Sequence, residues 1–199
     1  MTTSMLSRHT LTPHIANSDR SSLLKLYLCR GLLAVAWAAA FANVHATLGA
    51  AAIGLLIFYP LIDAVSSLID YRVLRSKSER RITAFNGVLS TVAAVAMGVA
   101  GARGAAAALA VFGTWAVIAG AAQWVVGLRR RGPALGGQWP MLIAGGLSFL
   151  VGIVYVVQAA SDHPTLEVLS VYATGGGVFF IIQAGLLAWR SRQRRIQFV

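Results

Sequence analysis

Six apolar stretches alternate with short polar gaps along the chain, at residues 23–42, 48–69, 85–102, 105–128, 139–159 and 165–189. Each is close to the length of about 20 residues that an α-helix needs to cross a bilayer. The gaps are not equivalent. The gap after the second stretch holds Arg72, Arg75, Lys77, Arg80 and Arg81, and the gap after the fourth holds Arg129, Arg130 and Arg131. The tail holds Arg190, Arg192, Arg194 and Arg195, whereas the intervening gaps carry only Arg103. Positive charge beside a span stays on the cytoplasmic side. The pattern therefore predicts an all-α integral membrane bundle of six transmembrane helices, with both termini and the arginine-rich gaps cytoplasmic. Residues 1–22 read as a mobile polar leader, 23–192 as the membrane domain and 193–199 as a basic cytoplasmic tail.

Internal similarity groups the six stretches into three helical hairpins, at about 23–72, 83–129 and 139–190. Gly31-Leu32-Leu33 aligns with Gly87-Val88-Leu89 and Gly145-Gly146-Leu147 in the first helices. Tyr59, Trp115 and Tyr172 align in the second helices, followed by Ala64, Gly120 and Gly177. Two spans per unit return the chain to its starting side, so the units share one orientation and the repeats are of the parallel kind. Small residues at helical spacing, such as Ala34, Ala38 and Ala42, Ala50 and Gly54, Ala94 and Gly98, and Gly175 to Gly177, offer surfaces for close helix approach.

Composition agrees with this reading. With 57% hydrophobic and 12% charged residues, and a mean hydropathy of +0.71, too little polar surface exists for a soluble single core. A net charge of +11 would suggest nucleic-acid binding in a soluble chain. Its distribution argues otherwise: of the 17 Lys and Arg, all but Lys25, Arg30 and Arg103 lie in the segments read as cytoplasmic, with no interleaved aromatic platform. The partners expected are the lipid bilayer, anionic headgroups at the cytoplasmic arginines, and a second copy or another membrane protein, with no nucleic acid. The lone Cys29 can form no internal disulfide and reads as a small buried hydrophobe. Val44-His45-Ala46 has the spacing of a signal-cleavage site, but the preceding apolar run is long and its leader is not a short basic one, so the first helix is expected to be retained.

One intramembrane pair stands out. Arg30 lies about seven residues into the first helix and Asp63 about seven before the inner end of the second, so a rise of about 1.5 Å per residue puts both at matching depth. A charge at a span centre costs about 2.5 to 3.5 kcal/mol on insertion scales. Pairing is the expected solution, as a structural ion pair, with a proton or ion relay and separate snorkelling as the alternatives. Asn86 and Ala119 occupy the same register positions in the second hairpin. Pro60 removes a helix hydrogen bond near Asp63. Ser66, Ser67, Gln123, Gln158 and Gln183 are candidates for interhelical bonds. Tyr27, Tyr71, Trp124, Trp139 and Trp189 fall at the inner ends as an interfacial belt, while His45, Asp162, His163 and Glu167 fall outside. No His, Cys and carboxylate spacing suits a metal, and no nucleophile arrangement or phosphate-binding glycine loop is present, so neither a cofactor nor enzyme activity is expected.

The Arg30-Gly31-Leu32-Leu33 start, the glycine entry of each hairpin, the aromatic and small residues of each second helix and the basic ending together resemble the HdeD-like acid-resistance membrane proteins of bacteria. The resemblance covers roughly residues 23–192, with Asp63-Ala64 where the family often has Asp-Gly and Pro164 as the retained outer-turn proline. It implies a multi-pass protein of the bacterial inner membrane with a structural or interaction role in acid or envelope stress. The alternative is a small proton or solute transporter or channel using Asp63.

Overall fold

The computed structural model describes residues 12–73, 77–129 and 139–196. They form six α-helices and, among the described residues, no strand: α1 Thr12–Ala42, α2 Ala50–Val73, α3 Lys77–Arg103, α4 Ala105–Arg129, α5 Trp139–Ala159 and α6 Glu167–Ile196. The segments Ala50–Ile69, Arg80–Arg103, Ala105–Arg129, Leu142–Ala159 and Glu167–Leu186 are long and apolar enough to cross a membrane, as a multi-pass membrane protein requires. Among the described residues the apolar part of α1, Tyr27–Ala42, is shorter. The backbone of α1 nevertheless begins at Thr12, inside the segment read as a polar leader. Likewise α3 starts at Lys77, which places Lys77, Arg80 and Arg81 on its first turns instead of in a loop. Arg75, Arg130 and Arg131 lie outside the described residues.

The described connections α1–α2, α3–α4 and α5–α6 are short, and each has a local cause. After α1, the Asn43 side chain donates to Ala39 O at 2.7 Å, satisfying a carbonyl that the ending helix leaves open. Between α3 and α4 a single residue, Gly104, turns the chain with φ +117°, a conformation that side chains resist. Glu167 opens α6, where a carboxylate complements the helix dipole.

The chain forms two compact units whose boundaries fall inside α1 and α6: one from residue 37 to 172, the other holding the residues before and after it. In the larger unit α4 packs on α5, α2 on α3, and α3 on α4. Glycines set the closest approach. A Cβ on Gly113 would lie 2.7 Å from Gly152 O, one on Gly120 would lie 2.6 Å from Gly145 O, and the reciprocal positions are equally tight. Between α2 and α3, a Cβ on Gly98 or Gly101 would press on Ile57 or Ile53, and one on Gly87 would lie 3.3 Å from Ser67 Cβ. Lipid supplies little hydrophobic force between helices, so such backbone proximity carries the association. The core consists of Phe41, Leu56, Met97, Leu109, Phe112 and Leu169, all essentially inaccessible. In the smaller unit the same device recurs, since a Cβ on Gly177 would lie 2.8 Å from Gly31 O and one on Gly31 would lie 2.9 Å from Gly177 O.

Two expectations about small residues change. Of the triplet Gly175 to Gly177 only Gly177 meets a neighbour, and Gly54 faces open space, because one glycine per turn is all that a single crossing point can use. Cys29 is exposed, not buried. An apolar sequence position in a membrane helix can face lipid as readily as protein, and the thiol tolerates either.

Candidate functional site

Asp63 lies on α2 one turn after Tyr59 and three residues after Pro60. Its Oδ2 accepts hydrogen bonds from Asn86 Nδ2 and from Ser90 Oγ, both at 2.7 Å. Asn86 and Ser90 are four residues apart on α3, so they rise from one face of that helix. Asp63 and Ser67 have the same spacing on α2, and Asn86 also donates to Ser67 Oγ at 2.9 Å. Two polar pairs, one per helix, therefore face each other across the α2–α3 contact that Gly87 permits. From α4, Trp115 Nε1 donates to Ser90 Oγ at 3.1 Å. Ser67, Ser90 and Trp115 are buried. Bonds to a carboxylate are among the stronger neutral-to-charged hydrogen bonds, and burial away from water makes each one costly to lose.

An aromatic wall adjoins this cluster. Tyr59 packs against Trp115 with centroids 6.0 Å apart, Phe112 at 5.7 Å, Tyr172 at 6.5 Å and Trp37 at 4.7 Å. The aromatics that align in the three second helices, Tyr59, Trp115 and Tyr172, thus converge on one place. Their polar tips are tied down: Tyr172 shares a hydrogen bond of 2.8 Å with Ser148, Tyr155 donates to Val168 O at 2.7 Å, and Trp37 Nε1 donates to Leu55 O at 2.7 Å. The last bond sits beside the Leu56 carbonyl, which Pro60 deprives of its usual helix donor.

Chemically the cluster holds more than it moves. An indole N–H donates but cannot accept, and a carboxamide offers no titrating proton, so neither the Trp115 branch nor the Asn86 branch passes a proton onward. Of the sequence candidates, the structure brings Asp63 and Ser67 together with Asn86. It adds Ser90, which sequence reading missed because a lone serine in an apolar helix carries no periodic signal. Arg30 belongs to the smaller unit, where its guanidinium carbon lies 5.8 Å from the Phe180 ring centroid and Tyr27 stacks on the same ring at 6.0 Å. Trp124, Trp139 and Trp189 are exposed on their helices. Asp162, His163 and Glu167 are exposed near the start of α6. Among the described residues no three His, Cys, Asp or Glu side chains gather as a metal site would need. Comparison with protein-family models, curated proteins and solved structures finds no match for this chain.

Proposed function

We propose that the chain is a six-span protein of the bacterial inner membrane with a structural or interaction role in acid or envelope stress, and that it catalyses no reaction. The observation that carries the structural part of this reading is the bonding of Asp63 to the neighbouring helix, where its Oδ2 accepts from Asn86 and Ser90. A carboxylate fastened to the neighbouring helix by an amide and by an indole-capped hydroxyl suits a joint between helices. A proton path would need further titratable groups in line with Asp63, which the amide and the indole do not supply.

Burial supports the three-hairpin reading. At an offset of roughly 57 residues the same positions are buried: Phe41, Met97 and Tyr155 in the first helices, and Leu56, Phe112 and Leu169 in the second. Each entry glycine also meets a register position on a second helix: Gly31 meets Gly177, Gly145 meets Gly120, and Gly87 approaches Ala64 O. Orientation with cytoplasmic termini rests on the arginine distribution. A strain lacking the protein, tested for survival across external pH, checks the physiological part. Reduced acid survival with unchanged metabolic conversions is the expected result, and unimpaired survival under acid and envelope stress contradicts it.

A further inference from the structure

The ends of α2 and α3 form a recess of about 270 Å³ lined by Tyr71, Lys77, Arg80, Arg81 and Ala84. Lys77, Arg80, Arg81 and Ala84 follow the spacing of one helix face, so the three cations converge while the small Ala84 leaves room beneath them. Tyr71 fixes one of these cations from α2, with the Arg80 guanidinium carbon 4.3 Å from its ring centroid. Stacking on an aromatic leaves the edge of a guanidinium free to grip two oxygens of a phosphate. The surrounding segment from Asp70 to Arg81 carries five cations against two carboxylates, Asp70 and Glu79.

What distinguishes a lipid from a free phosphate is the surface that continues from the recess. Below Arg81, at helical spacing, Phe85, Val88, Val92 and Val95 form an exposed apolar stripe down α3. Charge at the end of a span followed by an uninterrupted apolar track matches a phospholipid, headgroup first and acyl chain after. We infer that this recess is a binding site for an anionic glycerophospholipid, its phosphate held by Lys77, Arg80 and Arg81 and one chain lying along the α3 stripe. The inference rests on the membrane reading and gives a specific site to the general attraction of basic segments for anionic headgroups.

The test reconstitutes the full chain in nanodiscs of phosphatidylcholine with or without phosphatidylglycerol, and measures by native mass spectrometry which lipid stays bound after release into mild detergent. Wild type is expected to retain phosphatidylglycerol in preference to phosphatidylcholine. Retention should weaken about fivefold for each of Lys77→Gln, Arg80→Gln and Arg81→Gln, and about a hundredfold for the three together. Tyr71→Leu, which leaves the charge unchanged, should also weaken it, and Arg129→Gln at the end of α4 should not. Inorganic phosphate added in competition should fail to displace the lipid; displacement would reassign the site to free phosphate. Equal retention by the triple variant, or no preference between the two lipids, overturns the site while leaving the membrane reading intact. Failure of the chain to enter nanodiscs overturns both.

Discussion

At the scale of single residues, the account turns on a carboxylate with partners supplied by the neighbouring helix. Asn86→Leu strips Asp63 of one donor and Ser67 of another, so it should lower stability by about 1.5 to 3 kcal/mol, the range for bonds to charged groups. Ser90→Ala should act in the same direction and also release the Trp115 indole. Thr91 and Thr114 bond only to carbonyls of their own helices, Gly87 O and Ala110 O, so Thr91→Val and Thr114→Val should change stability by less than about 0.5 kcal/mol. Unfolding by SDS titration in detergent micelles reads all four, and equal losses across the set would contradict the assigned roles. Sequence reading identified Asp63 because a charge in an apolar stretch demands a partner. It could not identify Ser90, because which residue lies opposite Asp63 depends on how α2 and α3 pack after the basic gap between them.

At the scale of helices, hydropathy located the elements well where an apolar stretch ends at a turn. The start of α4 at Ala105 and the end of α5 at Ala159 coincide with the apolar boundaries, since Gly104 in one case and the turn after Ala159 in the other stop the helix where the apolar run stops. The starts of α1 and α3 and the end of α6 run past those boundaries, because backbone hydrogen bonding continues into polar sequence that composition assigns to a leader, gap or tail. Small residues announced close packing without saying which of them touch. Gly120→Ala, Gly145→Ala and Gly152→Ala each force a methyl group against backbone atoms and should cost about 1 to 3 kcal/mol. Gly54→Ala and Gly175→Ala meet nothing within 4 Å, and alanine's higher helix propensity should make them neutral or stabilising by up to about 1 kcal/mol. The same SDS titration separates the two groups, and a reversed order would remove the packing role given to the α4–α5 glycines.

At the scale of the whole molecule, the orientation read from arginines is a statement about insertion that packing does not address. Reporter fusions after Lys77, after Arg131 and at the C-terminus should report cytoplasm, and fusions near His45, Arg103 and His163 should report the outside. The fusion near His45 decides whether α1 spans. The role assigned to Asp63 reaches furthest, because the same half-buried carboxylate would serve either a fixed joint or a proton path. Its partners, an amide and a hydroxyl capped by an indole, favour the joint. The decisive measurement is the decay of an imposed pH gradient across liposomes containing the purified protein, compared with empty liposomes and with the Asp63→Asn variant. The account predicts that the gradient persists equally in all three. Rapid dissipation by the wild-type protein that disappears in Asp63→Asn would contradict the structural role and establish a proton pathway through Asp63.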